Sequence, residues 1–120
     1  MRKISELFYL KDRVAIVTGG AGYLGTAESF ALAEAGAKVI VSDIDIGGAK
    51  KVADEITKSG LYAVAEKIDL SKEESIAGVI NNVYERYKEI DILINNGFFG
   101  KICPLMICHL RTGSVLLMGA

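Results

Sequence analysis

The segment Thr18-Gly19-Gly20-Ala21-Gly22-Tyr23-Leu24-Gly25 directly follows an apolar run, Val14-Ala15-Ile16-Val17, and a second apolar run ends at Asp43. The chemistry these residues suit is the binding of a dinucleotide. Peptide N–H groups at a helix start can donate to a pyrophosphate, and side chains there would hold the phosphate off. Gly19 would permit the tight turn, Gly22 would lie where the backbone approaches the cofactor, and Gly25 would let the helix pack closely on the first strand. Tyr23 and Leu24 fall within the same cofactor-binding set. Asp43, about twenty residues further on, is suited to accept hydrogen bonds from both ribose hydroxyls. It would repel a 2′-phosphate, Asp45 adds a second negative charge, and positions 42 to 46 hold no Arg or Lys. NAD is therefore expected over NADP. The competing reading is that Asp43 only starts a turn, as Asp often does.

Other pairings look chemical and are expected not to be. Tyr84 and Lys88 have the Tyr-x-x-x-Lys spacing of a proton-transfer pair. Tyr84 belongs to the apolar stripe of a helix, so its ring is expected to pack on the sheet while Lys88 approaches the helix end. Cys103 and Cys108 flank an apolar stretch beside His109, and the chain holds no other Cys or His. That is too few ligands for zinc, and two thiols in a reducing compartment are expected. Ser114 and His109 lack a third member for nucleophilic catalysis.

Positioning the glycine turn and Asp43 requires alternating short apolar runs and longer periodic segments, the pattern of β-α units around a parallel sheet. Strands are expected over residues 13–18, 37–43, 61–67, 91–95 and 114–118, most of them apolar enough to be covered on both faces. Helices fit between the first four strands. The first spans about 23–35 and stops at Gly36; the second carries Ala49, Val52, Ala53 and Ile56 on one face and stops at Gly60. For the third, Ser71 and Glu74 suggest a capping box, with Ile76, Val79, Ile80, Val83, Tyr84 and Tyr87 forming a stripe. Right-handed crossovers then favour an α/β, Rossmann-like doubly wound sheet of about five strands in the order 3-2-1-4-5, between two helical layers, with the ligand crevice where the order reverses.

The chain has 120 residues and 51% hydrophobic content, enough for one core, so a single domain over residues 1–120 is expected. Fourteen basic against fifteen acidic residues give a formal charge of -1, with no basic stripe for nucleic acid. No apolar stretch reaches transmembrane length and the amino terminus lacks a signal-peptide core, so a cytoplasmic protein is expected.

Four ordered motifs, VAIVTGGAGYLG, Asp43, the Asp69-Leu70 pair and LINNG at residues 93–97, resemble the amino-terminal half of the short-chain dehydrogenase/reductase family over residues 8–97. The resemblance implies that Asp69 lies near the adenine amino group, Leu70 packs on the adenine ring and Asn95 sits beside the cofactor ribose. There are departures. Gly22 and Gly25 are spaced as in the extended, epimerase-like branch, whereas the single-domain branch would have Gly in place of Tyr23. The family's Asn-Asn-Ala-Gly reads Asn95-Asn96-Gly97-Phe98, and the helix beyond it, part of the family's dimer interface, is largely missing. Gly119 and Ala120 stand where the resemblance implies Ser-Ser, and no Tyr-x-x-x-Lys follows.

The expected function is NAD binding by an oxidoreductase-type domain, in a truncated form that lacks independent catalysis. An inactive fragment acting through nucleotide or protein contacts, and a methyltransferase-like domain, are the alternatives. The apolar fifth strand or the face of the missing helix could support a homo-oligomer.

Overall fold

A computed structural model of the chain describes residues 3–98. The elements are α1 (Ile4–Leu7), β1 (Val14–Thr18), α2 (Tyr23–Glu34), β2 (Lys38–Asp43), α3 (Ile46–Lys58), β3 (Ala63–Lys67), α4 (Glu73–Tyr87) and β4 (Ile92–Asn95). The strands form one sheet in the order β3-β2-β1-β4. Every pairing is parallel, and the register sets Thr18 between Ser42 and Asn95. This is the doubly wound arrangement expected for the first four strands.

Strand period two divides the core. Ala15, Val17, Val39 and Val41 face α2 and α3, where Ala49, Val52, Ala53 and Ile56 meet them. Val14, Ile16 and Ile40 face α4 through Val79 and Val83. All five residues of β1 are buried, because helices cover both sides of it. At β4, Ile92 and Ile94 turn inward while Leu93 is half-exposed, and most of the segment expected to follow this strand lies outside the described residues. Small residues, Gly25, Ser29 and Ala33, form the buried side of α2 and let its backbone approach the sheet.

Two expectations for α4 are corrected. Its N-cap is Lys72, which makes no side-chain cap bond. Ser71 does not cap it because its hydroxyl donates instead to Asp69 Oδ1 at 2.6 Å, a stronger, charge-assisted bond. Tyr84 does not pack on the sheet and is 53% exposed. Each helical residue turns about 100° from its neighbour, so with Val83 aimed at the sheet, Tyr84 lies beyond the covered arc.

At the amino ends of the strands, the Tyr62 and Tyr87 hydroxyls are 2.7 Å apart and their rings meet edge to face at 6.2 Å. Lys38 Nζ lies 6.0 Å and 5.9 Å from the two ring centroids. The single turn α1 was not anticipated from sequence, and its Ile4 and Leu7 are exposed. The expected fifth strand, Cys103, Cys108, His109, Ser114, Gly119 and Ala120 lie outside the described residues. Among the described residues, no helix is long and apolar enough to cross a membrane.

Candidate dinucleotide site

The turn leaving β1 is held from several directions. Gly19 takes φ +65°, a conformation a side chain would strain, and a Cβ there would come within 2.9 Å of Gly97 Cα. The Gly19 carbonyl oxygen accepts from Gly22 N at 3.1 Å and from Asn96 Nδ2 at 3.2 Å. Gly20 N donates to the carbonyl of Ser42 at 3.0 Å, and Ala21 N donates to Asp43 Oδ2 at 3.0 Å. Gly22 is the N-cap of α2 and makes no side-chain cap bond. Among the described residues, the first N–H groups of the helix therefore have no side chain competing with an anion for them. Gly25 is required at close range by the turn itself, since a Cβ on it would overlap Gly19 O and lie 2.8 Å from Gly20 Cα. The tight packing expected at Gly25 is thus against the backbone leaving β1.

A cleft of about 130 Å³ opens at the carboxyl ends of the strands. Four of the expected residues, Gly19, Asp43, Asp69 and Leu70, meet in its wall. Gly22 and Tyr23 instead border a second hollow of about 550 Å³, together with Ala21, Thr26 and Ala27, and Tyr23 is 95% exposed. Leu24 is exposed on the first turn of α2. Asn95 ends β4 with its side chain exposed, outside the residues that wall the cleft.

The two carboxylates are differently engaged. Asp43 accepts from Ala21 N through one oxygen and from Asp45 N, at 3.0 Å, through the other. Asp45 is itself the N-cap of α3, accepting from Gly48 N at 3.1 Å. Asp69 Oδ1 takes both the hydroxyl and the N–H of Ser71, at 2.6 Å and 3.0 Å, with Lys72 Nζ 4.0 Å from Oδ2. The Ser71 hydroxyl first, then its N–H and the Lys72 charge, hold the Asp69 carboxyl below the usual carboxylate range. Asp69 is therefore an anion with acceptor capacity to spare.

Residues beyond the expected set also build the wall. Ile44 and Ile68 supply apolar surface beside the two carboxylates, and Gly97 and Phe98 close the β4 side. Thr18 Oγ1 accepts from Gly97 N at 2.9 Å and donates to the carbonyl of Ile94 at 3.2 Å. Asn96 binds the turn, as noted above. The available signal was strand alternation: the residue after Asn95 belongs to the opposite side, the side of the turn.

Chemically, this arrangement offers peptide donors for an anion beside an apolar slot flanked by two acceptors. Tyr84 and Lys88 are remote from it. They lie at the carboxyl end of α4, where Lys88 Nζ pairs with Glu85 at 3.3 Å, whereas the cleft lies at the opposite end of the strands.

The family model for short chain dehydrogenase matches residues 13–105. The chain is 34% identical over 96 residues to an uncharacterized oxidoreductase, YxjF, of Bacillus subtilis, a match covering 80% of this chain and 37% of that protein. It thus spans little more than a third of the length of that curated relative. Among solved structures, a hydroxysteroid dehydrogenase from Escherichia coli superposes with TM-score 0.78 at 32% identity, covering 89% of this chain and 47% of the other. A putative D-mannonate oxidoreductase from Haemophilus influenza with bound NAD gives TM-score 0.73 at 32% identity, covering 86% and 36%.

Proposed function

The chain belongs to the short chain dehydrogenase family, and from that premise we propose that it is the NAD-binding part of an oxidoreductase transferring hydride between the nicotinamide and a carbonyl or alcohol. The observation carrying this reading is the shared wall of Gly19, Asp43, Asp69 and Leu70. The uncapped start of α2 fits a pyrophosphate, since its N–H groups are oriented donors that no side chain among the described residues caps. The slot beyond it fits a purine: Leu70 offers a face for the ring and Asp69 an acceptor for an exocyclic amino group.

Asp43 is the basis for preferring NAD. Two of its acceptor positions are engaged by backbone N–H groups and the rest remain for ribose hydroxyls. A 2′-phosphate there would meet the charges of Asp43 and Asp45 with no Arg or Lys at 42–46 to offset them. Asn95, at the end of β4, is assigned to the nicotinamide-side ribose.

When bound, NAD supplies the hydride acceptor. The chain's own contribution is to bind and orient it, within what we take to be one unit. Gly119 and Ala120 stand where the family resemblance implies Ser-Ser, the second serving as the catalytic hydroxyl, so no catalytic role is proposed for these residues.

A fluorescence titration with NADH, NADPH and S-adenosylmethionine tests the reading. NADH should bind at least about tenfold more tightly than NADPH, a gap of ~1.4 kcal/mol, and S-adenosylmethionine should not bind. Tighter NADPH binding would overturn the assignment of Asp43, and failure of all three would overturn the function.

A further inference from the structure

We propose that Asp43 is a positioning residue that holds the glycine turn in its binding shape before any ligand arrives. This role rests on the nucleotide-binding reading above and is separate from contact with a ribose. Two consecutive turn amides are tied to two consecutive residues at the end of β2: Gly20 N to the Ser42 carbonyl and Ala21 N to the Asp43 carboxylate, both at 3.0 Å. The first tie is backbone to backbone and survives any substitution. The second depends wholly on the side chain.

The other oxygen of the same carboxylate accepts from Asp45 N at 3.0 Å. Asp45 in turn accepts from Gly48 N at the start of α3. A single side chain therefore braces the turn entering α2 against the turn entering α3. These turns also touch directly, since a Cβ on Gly48 would come within 2.9 Å of Ala21 Cβ. With both oxygens engaged by N–H donors, Asp43 is a double acceptor that no neutral side chain of its size reproduces. In Asp43→Asn one amide oxygen can serve Ala21 or Asp45, and the NH₂ group then confronts the remaining N–H.

The consequence concerns cofactor selection. If Asp43 acted only on the ligand, accepting from the ribose hydroxyls and repelling a 2′-phosphate, neutralising it would weaken NADH and strengthen NADPH. As a brace, it also supports the amides that any dinucleotide's pyrophosphate uses, so a variant that keeps the charge but moves the carboxylate should weaken both cofactors together, by about tenfold for loss of a hydrogen bond to a charged group.

The test uses the full chain and the variants D43N and D43E. In the ligand-free protein, amide hydrogen exchange at Ala21 is read by NMR, alongside titrations with NADH and NADPH. D43E keeps the charge but displaces the carboxylate by one methylene, so it separates geometry from electrostatics even if D43N folds poorly. Faster Ala21 exchange in both variants, with parallel losses of NADH and NADPH affinity in D43E, is the expected result. Unchanged Ala21 exchange overturns the proposal whatever the affinities do, and so does a gain in NADPH affinity by D43E. If the wild type binds neither cofactor, the function fails, while the exchange comparison still decides the brace.

Discussion

The side-chain amide of Asn96 donates to the carbonyl oxygen of Gly19 across 3.2 Å, joining the end of β4 to the glycine turn over 77 positions of chain. Beside it, Gly97 N donates to Thr18 Oγ1 at 2.9 Å. The turn is thus gripped from the β4 side as well as from β2, and its carbonyl is held by Asn96 and Gly22 together.

Asn96→Ala should therefore lower stability by about 1 kcal/mol, the usual net worth of a neutral hydrogen bond. NADH affinity should fall with it, since the turn loses one support. Urea denaturation and an NADH titration measure the two effects. A variant indistinguishable from wild type in both would show that Asn96 does not hold the turn.

Gly25 and Gly78 should respond oppositely to alanine. At Gly25 the new methyl group meets backbone of the turn, which cannot move aside like a flexible side chain. A loss of about 1 to 3 kcal/mol is expected, together with loss of nucleotide binding. Gly78 lies within α4 with nothing inside 4 Å of its added Cβ. Alanine there should stabilise by about 0.5 to 1 kcal/mol through helix propensity and reduced unfolded-state entropy. Comparing the two denaturation midpoints checks both signs at once.

Much of this was legible because it is written locally. β1 and β2 are short runs of Val, Ile and Ala bounded by charge and glycine, and α3 repeats its small apolar residues at helical spacing, so both periodicities survive in one dimension. Asp43 was found by its distance from the turn. What was not legible depends on which residue wins a partner in three dimensions. Ser71 had a plausible cap in view, and only the nearness of Asp69 turned it away. Asn95 and Asn96 are chemically identical; alternation sets them on opposite sides, but which side meets Gly19 is decided by the pairing of β4 with β1. Tyr84 looked like part of a stripe because the width of the covered arc is set by the sheet, which the helix sequence does not encode.

The phenol of Tyr87 should titrate late. Burial, then the hydrogen bond and negative charge shared with Tyr62, push it from 10.0 up to about 12, against the pull of Arg86. The folded state holds this proton more tightly than the unfolded chain does. Its stabilising effect is therefore fully present below pH 10 and is lost as pH rises from 10.0 toward about 12. Phenolate absorbance should show one tyrosine ionising at the top of that range, and Tyr87→Phe should remove this component and flatten the alkaline fall in stability. An unaltered titration curve in the variant would contradict the assignment.

Ser71→Ala should raise the Asp69 carboxyl back toward its ordinary range, since the Ser71 hydroxyl is the largest influence lowering it. In the wild type the depressed value favours folding at neutral pH, and this contribution is lost as pH falls from the ordinary value of 3.8 through the folded one. An NMR titration of the side-chain carbon reads the change directly. If Asp69 titrates identically in the variant, the Ser71 bond is not what sets its ionisation.

The pairing of β1 with β2 on one side and β4 on the other gives the cleft an order of assembly. The tie from Ala21 to Asp43 closes only 22 positions of chain, whereas the tie from Asn96 to Gly19 closes 77. The longer loop costs about 1 kcal/mol more in closure entropy, and its carboxyl-terminal partner leaves the ribosome last. During synthesis the ribose side of the site can take shape while β4 is still unmade, and the turn receives the Asn96 clamp only when the β-α series has been threaded into register as far as β4.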